Sequence, residues 1–498
     1  VSKLSFNILN GFEKGNYFSR ILRGISANML NQLINILNKL ALVPFFISNW
    51  GTRTYGEWLV VTSVVSYLAL TDMGGTNYII NKLTQSFSMN REKEFRRVLK
   101  TGVTIFLILS TLITLMAIIA VKFLSLNSLL SLKYTNSYTI NIVIVVLAFQ
   151  VSLSLLLGLI IGTYRSIGYY AKSVMFSNLI QFLQLISVFL VLVLKKGMVA
   201  VALGQLSPLI LVGVYVVWNL NRDIPKLNIF SFDEINFKEG ISFFVPSFNF
   251  FMIQMSQLLV TQGTVIVVGK MLGPTAVVIY TLARTVINIV RQVLGMVMNS
   301  SKPEITRLDI QEKDSELANL FKQITQITLV CGCIVGLILH FYGETLYGLW
   351  LNNTVAFNQH LIDSLLFYIL LMTFWFGFAD FLMAVNRHKH LSVVILISST
   401  LNVIFATLGA NIVGLNGVVL GLIVGDLVLA CWFIPYLALK YKPIMNLRTI
   451  IKQISLLLIF LLNIIFNNIF MGVITLIILM YIFIINITTN NKVTARFR

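Results

Sequence analysis

The chain has 498 residues, of which 57% are hydrophobic and 11% charged, where a soluble domain carries about 25% charged residues. A soluble enzyme of this length could not cover its surface with so few charges, so that class is excluded. Lys and Arg number 37 against 18 Asp and Glu, a formal net charge of +19, but the basic residues lie between apolar runs rather than in one patch, which points to membrane topology instead of nucleic acid.

Residues 1–23 lack the apolar stretch of about 7–15 residues that a secretory leader needs and read as a short cytoplasmic interfacial segment with basic and aromatic side chains. A spanning helix needs about 20 apolar residues. In chain order the runs of this kind are 24–48, 55–80, 99–121, 138–163, 171–194, 198–220, 241–269, 275–299, 318–342, 361–385, 391–411, 416–439, 451–467 and 470–488. The expected fold class is an all-α polytopic membrane protein with about fourteen transmembrane helices. The last two runs are short and close enough to form a hairpin, which leaves twelve spans as the other reading. The segments after even-numbered runs and the two ends of the chain carry most of the Lys and Arg. The alternate segments hold only Arg53, Lys122, Lys133, Lys195, Lys196 and Lys270. The positive-inside rule then places both termini in the cytoplasm and requires an even count.

Cys331, Cys333 and Cys431 lie in apolar runs, so no disulfide framework is expected. The longest outward loop is 343–360, too short to enclose a catalytic domain. No GxxxxGK[ST], HExxH or Cys/His metal spacing is present, so no ATPase module, metal or other cofactor is expected.

Runs 1 and 7 start from the same side. That permits a parallel repeat of two six-helix lobes related by a pseudo-two-fold, with two helices appended. The lobes would be 24–220 and 241–439, joined by a cytoplasmic linker 221–240, with 440–498 holding the last spans and a cytoplasmic tail. Asn49 to Trp58 and Gly269 to Ala276 each form a tight Gly turn with one basic residue, at the same point of each half.

Polar residues inside the runs form stripes. Asn28, Gln32, Asn35 and Lys39 fall at spacings of 4, 3 and 4, flanked by Asn31 and Asn38. Gln254, Gln257, Thr261 and Thr264 repeat at 3, 4 and 3, and Arg284, Asn288, Arg291 and Gly295 at 4, 3 and 4. Each set shares one helical face. Interhelical hydrogen bonding is the alternative use of the amides and hydroxyls. The charges are harder to dismiss, because a Lys or Arg at a span centre costs about 2.5–3.5 kcal/mol on insertion scales and usually faces a bundle interior or a wet cavity. Arg284 and Arg291 straddle the midplane of run 8, roughly 10 Å apart along the helix, and Lys39 lies at a depth near that of Arg284. Fixed guanidinium forks in such a place attract an anion, phosphate above all.

Asp72, Asp380 and Asp426 are the acidic residues inside runs. Each is a gate or coupling candidate or a structural partner for those cations, and Asp380 is expected to pair with Arg387 or Lys389. His340, His388 and His390 are expected to be solvated. Trp375, mid-run among Phe374, Phe376 and Phe378, is expected to pack against lipid or protein in preference to lining a sugar passage. Pro44, Pro208 and Pro246 can bend runs 1, 6 and 7.

Residues 24–82 run from Asn28 through Pro44, Gly51 and Tyr55-Gly56-Glu57-Trp58 to Asp72-Met73-Gly74-Gly75 and Asn77. They resemble the N-terminal signature of O-antigen (Wzx-type) polysaccharide flippases. Val267-Val268-Gly269, Leu272-Gly273-Pro274, Tyr280, Arg284 and Pro303-Glu304 are similar to the start of that family's second half. The family belongs to the multidrug/oligosaccharidyl-lipid/polysaccharide exporter superfamily. The resemblance implies a two-lobed bundle with a cationic central cleft that opens alternately inward and outward, and an undecaprenyl-pyrophosphate-linked oligosaccharide as cargo. It also implies cleft arginines on the pyrophosphate, carried by position onto Arg284 and Arg291, with Lys39 beside them.

The expectation is therefore a flippase rather than an enzyme, in the bacterial inner membrane, moving the repeat unit from the cytoplasmic to the periplasmic leaflet. Its substrate-binding candidates are Arg284, Arg291 and Lys39 for the diphosphate, and Asn28, Gln32, Asn35, Gln254, Gln257, Thr261 and Asn288 for the sugars. No catalytic residue is expected. The expected partners are the polyprenyl-pyrophosphate-linked glycan and the lipid bilayer, with H+ or Na+ as candidate coupling ions and the polysaccharide polymerase machinery as a candidate neighbour. The alternatives are an H+- or Na+-coupled multidrug exporter of the same superfamily, which would want carboxylates to dominate the cleft, and, further off, a membrane glycosyltransferase.

Overall fold

The computed structural model describes residues 17–223, 235–236, 240, 248–385, 387–467 and 475. Every regular element among them is helical. The chain divides into unit 1, Val1–Gln254, and unit 2, Met255–Arg498. Among the described residues, 12 helices are long and apolar enough to cross a membrane. The first of these, Leu30–Ser88, holds two expected runs, so every run through 451–467 has a helical counterpart. Run 470–488 lies outside the described residues apart from Thr475.

Unit 1 opens with α1, Tyr17–Ser66, whose two helical segments join at Gly51, where φ is 70°. Without a Cβ, glycine reaches positive φ at little steric cost. The run expected at 55–80 is not one helix. It passes through a 3-10 turn, Tyr67–Asp72, then left-handed Met73 and Gly74, before α2, Gly75–Ser88. An apolar window misses this break because both flanks are apolar. Then come α3 (Glu92–Phe123), α4 (Ser137–Ser166), α5 (Tyr170–Val193) and α6 (Met198–Asp223). Glu92 and Glu94 in the first turn of α3, and Arg165 and Arg222 in the last turns of α4 and α6, complement the helix dipoles. The core joins Ile79 and Leu83 of α2, Leu99 and Phe106 of α3, Leu159 and Tyr164 of α4, and Val216 and Leu220 of α6.

Unit 2 starts within α7, Phe248–Leu258, which passes through a π turn, Leu259–Gly263, into α8, Thr264–Leu272. Gly273 (φ 87°) and Pro274 open α9, Pro274–Ile310. α10 covers Asp314–Leu351 and α11 Gln359–Ala384. Because α10 continues to Leu351, the outward loop expected at 343–360 shrinks to the residues between Leu351 and Gln359. α12 (His388–Val413) and α13 (Leu415–Gly425) lead into a second π turn, Asp426–Ala430, then α14 (Cys431–Tyr441) and α15 (Leu447–Phe466).

Lipid tails are as apolar as the side chains, so close packing and polar contacts must hold such helices together. α12 and α13 show the first device. Gly409 and Gly417 lie so close that a Cβ on either would overlap the other's backbone. α15 shows the second. Its Gln453 Nε2 donates to Thr325 Oγ1 at 2.9 Å, its Phe460 packs on Gly336, and Asn467 at its end meets His340. Residue numbers rise together along both helices, so α15 runs parallel to α10, as two odd-numbered spans must.

Candidate functional site

Arg284 and Arg291, on α9, are both half-buried. Arg284 Nη1 donates to the Thr261 carbonyl at 2.6 Å and to Thr264 Oγ1 at 3.1 Å, and its Cζ stands 5.3 Å from the Tyr280 ring centroid. A π turn displaces a carbonyl from the ordinary helical ladder, and Arg284 takes one such carbonyl. Thr264 is fully buried. Its hydroxyl donates to the Val260 carbonyl at 2.7 Å and accepts from Tyr280 Oη at 3.2 Å as well as from Arg284. Arg291 Nη1 reaches the Met372 sulfur at 3.9 Å. Among the described residues neither guanidinium has a carboxylate within 4.0 Å. Buried Tyr368 on α11 lies within electrostatic reach of Arg284, Arg291 and Asp426.

The three acidic candidates are all engaged elsewhere. Asp426, 1% exposed at the start of the second π turn, accepts from Trp375 Nε1 (3.0 Å), Asn402 Nδ2 (2.8 Å) and Ser398 Oγ (3.4 Å). Trp375 is packed in protein, and its indole N–H is part of this cage. Asp380 pairs with Lys302 Nζ at 2.8 Å, and not with the expected Arg387 or Lys389. The reason is that α9 continues past the apolar run to Ile310 and carries Lys302 alongside α11. Arg387 instead stands 4.9 Å over the Tyr441 ring. Asp72 Oδ1 accepts from Thr76 N–H (2.9 Å) and Thr76 Oγ1 (2.7 Å), capping the start of α2.

The span-7 stripe is interrupted by the π turn. One extra residue in that turn shifts the register, so Gln257 is exposed while Thr264 is buried. Thr261 spends its hydroxyl on the Gln257 carbonyl, 2.6 Å away, and Gln254 and Asn288 are half-buried. In unit 1, Asn35 Nδ2 donates to Asn31 Oδ1 at 2.9 Å, and Asn31 Nδ2 donates to Asn178 Oδ1 on α5 at 2.7 Å and to Gln181 Oε1 at 3.5 Å. The bonds to α5 are thus made by Asn31, which flanks the stripe, and of the stripe itself Asn35 joins them only through Asn31. Gln32 is half-buried. Asn28 and Lys39 lie in α1, but their side chains are outside the described ones.

Two further buried polar groups lie outside this set. His340 is 4% exposed rather than solvated. Its Nδ1 lies 2.7 Å from Asp363 Oδ1 and its Nε2 3.1 Å from Asn467 Oδ1, while Gln359 Nε2 donates to Asp363 Oδ1 at 3.0 Å. Gln359 Nε2 also lies 3.1 Å from Nδ1, so Asp363, Gln359 and Asn467 together enclose both ring nitrogens. Glu57 is fully buried, and its Oε1 accepts from the backbone N–H groups of Lys133 (2.5 Å) and Tyr134 (2.7 Å), tying the segment between α3 and α4 to α1. Beyond the last residue of α14, Lys442 bridges Asp309 at 2.7 Å and Asp314 at 2.8 Å, and the hydrogen bonds it donates to these carboxylates push its ammonium above the ordinary lysine range.

Solved structures share this fold. A multidrug resistance MATE family transporter of the MOP superfamily, in an inward-facing conformation, matches with a TM-score of 0.69 at 14% identity, covering 85% of this chain and 98% of that one. The lipid II flippase MurJ, in an inward closed conformation, matches with a TM-score of 0.68 at 14% identity, covering 94% of this chain and 100% of that one. A MOP superfamily transporter from Pyrococcus furiosus, described as having a binding pocket of reverse polarity, matches with a TM-score of 0.54 at 13% identity, covering 90% of this chain and 100% of that one. At these identities the likeness establishes the fold alone. No curated protein sequence gives a significant match. A family model described as "Polysaccharide biosynthesis protein" matches residues 21–309. That is more than half of this multi-pass membrane chain, and the chain belongs to the polysaccharide biosynthesis protein family.

Proposed function

We propose that the protein flips a polyprenyl-diphosphate-linked oligosaccharide repeat unit, of the O-antigen kind, from the cytoplasmic to the periplasmic leaflet of the bacterial inner membrane by alternating access. The observation that carries this reading is the pair of guanidiniums on α9, Arg284 and Arg291, which have no carboxylate within 4.0 Å among the described residues, in a chain of the polysaccharide biosynthesis family. Unneutralised cations in a spanning helix are costly to keep, and a diphosphate supplies the missing charge. Lys39 and the amides Asn28, Gln32, Asn35, Gln254, Gln257 and Asn288 remain the candidates for the rest of the head group. Both termini are cytoplasmic, and the polymerase machinery is the candidate receiver of the product. An inside-negative potential favours outward movement of negative charge by about 2.3 kcal/mol per charge per 100 mV.

The test is complementation of a deletion strain by Arg284→Ala, Arg291→Ala. The double variant accumulates in the membrane but restores no surface glycan; wild-type restoration would sink the assignment. One observation favours a second reading, the H+- or Na+-coupled drug exporter: Asp426 is a buried carboxylate held by three neutral donors, as a coupling site would require. Under that reading Asp426→Asn abolishes drug efflux and leaves surface glycan unchanged. A glycosyltransferase would need a carboxylate on an outward loop; of Glu57, Glu344 and Asp363, Glu57 holds two backbone N–H groups, Asp363 is hydrogen-bonded with His340, and Glu344 is exposed on α10.

A further inference from the structure

The Arg284 side chain has a hydrogen-bond count that assigns roles to its neighbours. A guanidinium carries five N–H bonds, two of them on each Nη. Nη1 makes two contacts, to the Thr261 carbonyl at 2.6 Å and to Thr264 Oγ1 at 3.1 Å. That uses both of its N–H bonds. The Nε–H and Nη2–H edge is then the edge left over, since among the described residues Arg284 donates only through Nη1. Such an edge presents two parallel N–H bonds, the geometry that grips two oxygens of one phosphoryl group.

Thr264 is committed as fully as Arg284 Nη1. A hydroxyl has one donor and two acceptor sites. Here the donor goes to the Val260 carbonyl at 2.7 Å, and the acceptor sites take Arg284 and the Tyr280 hydroxyl, at 3.1 and 3.2 Å. Val260 and Thr261 both belong to the π turn Leu259–Gly263, so the turn supplies one carbonyl to Arg284 and another to the residue that holds it. Arg291 has no such socket, since its described contact is the Met372 sulfur at 3.9 Å.

We infer that the π turn and Thr264 form a socket that fixes the Nη1 end of Arg284 and aims its Nε–Nη2 edge at a phosphoryl group, with Thr264 as a positioning residue and Arg291 as the freely adjusting second cation. This rests on the reading of Arg284 as an anion-binding residue. The ligand class follows from the edge: a phosphate ester or diphosphate offering two oxygens side by side, and not a halide or other single-point anion.

The test uses the purified full-length protein in detergent, titrated with inorganic pyrophosphate at constant ionic strength. Thr264→Val removes the acceptor for Nη1 and is expected to weaken pyrophosphate binding about tenfold, while Thr264→Ser keeps the hydroxyl and stays within about twofold of wild type. Arg284→Lys, which has no fork, binds as weakly as Arg284→Ala. In the Arg284→Ala background Thr264→Val has no further effect, because its influence passes through the arginine. A merely structural role for Thr264 would lower affinity equally in both backgrounds and would overturn the socket. So would wild-type affinity in Thr264→Val alongside a large loss in Arg284→Ala. Wild-type affinity in Arg284→Ala itself, or no pyrophosphate binding by the wild type, would overturn the anion-site reading and the socket with it.

Discussion

Removing the carboxylate of Asp363 isolates His340 in a place with little water. The two side chains are 8% and 1% exposed, with 2.7 Å between Nδ1 and Oδ1. Deleting one partner of a buried hydrogen-bonded pair leaves the other unsatisfied, at a cost of about 1–3 kcal/mol. Asp363 Oδ1 meets both His340 Nδ1 and Gln359 Nε2, so Asp363→Ala should sit near the upper end, about 3 kcal/mol. At roughly 2–4 °C per kcal/mol for a cooperative unit of this size, the unfolding midpoint should fall by roughly 6–12 °C. Thermal unfolding in detergent can be followed by a thiol-reactive fluorophore in a Cys331→Ser, Cys431→Ser background, because those two thiols are half-buried whereas Cys333 is 1% exposed and shielded until α10 opens. His340→Ala combined with Asp363→Ala leaves no imidazole without its partner and should melt above Asp363→Ala alone. A single variant within about 2 °C of wild type, or a double variant that melts lower than the single, would refute the buried-pair reasoning.

Other consequences are equally specific. Lys302→Ala leaves Asp380, 4% exposed in its side chain, without its cation and should destabilise by about 3 kcal/mol, whereas Asp380→Asn should cost less; the same melting assay ranks them. Gly409→Leu or Gly417→Leu must force α12 and α13 apart, since even a Cβ overlaps the facing backbone, and either should abolish accumulation of folded protein on size-exclusion chromatography. Lys442 has its ammonium pushed up by Asp309 and Asp314. A raised lysine contributes stability that is present below its unfolded pKa, about 10.4, and lost only as pH climbs through the folded value. Lys442→Gln should therefore lower the midpoint by the same amount at pH 6 and pH 9, and a loss confined to one of these would contradict the ion-pair account.

The spans were legible because run length and hydropathy are local properties. α15 runs parallel to α10, as its place in the order requires. The break at Tyr67–Gly74 was not legible, because a 3-10 turn between apolar flanks leaves hydropathy unchanged. The two π turns were not legible either. Leu259–Gly263 has a guanidinium from another helix on a carbonyl it frees, and Asp426–Ala430 begins at a carboxylate caged by donors from α11 and α12. A periodic stripe drawn at 3.6 residues therefore placed Gln257 and Thr264 on one face that the structure separates. Asp380 was matched to its sequence neighbours because a window ending at 299 hides the extension of α9 that brings Lys302. The burial of His340 has no local signal, because its partners, Asp363 and Asn467, come from two other segments of the chain. Arg284 and Arg291 stood out from the sequence for a physical reason: charge inside an apolar run has no local explanation.

The measurement closest to the central claim is the fate of the lipid-linked repeat unit in cells whose only copy of the protein is Arg284→Ala, Arg291→Ala at wild-type abundance. The account predicts complete repeat units accumulating on the lipid at the cytoplasmic face, with surface glycan lost. Normal surface glycan in those cells would contradict it, and truncated repeat units would place the protein in assembly of the glycan rather than in its translocation.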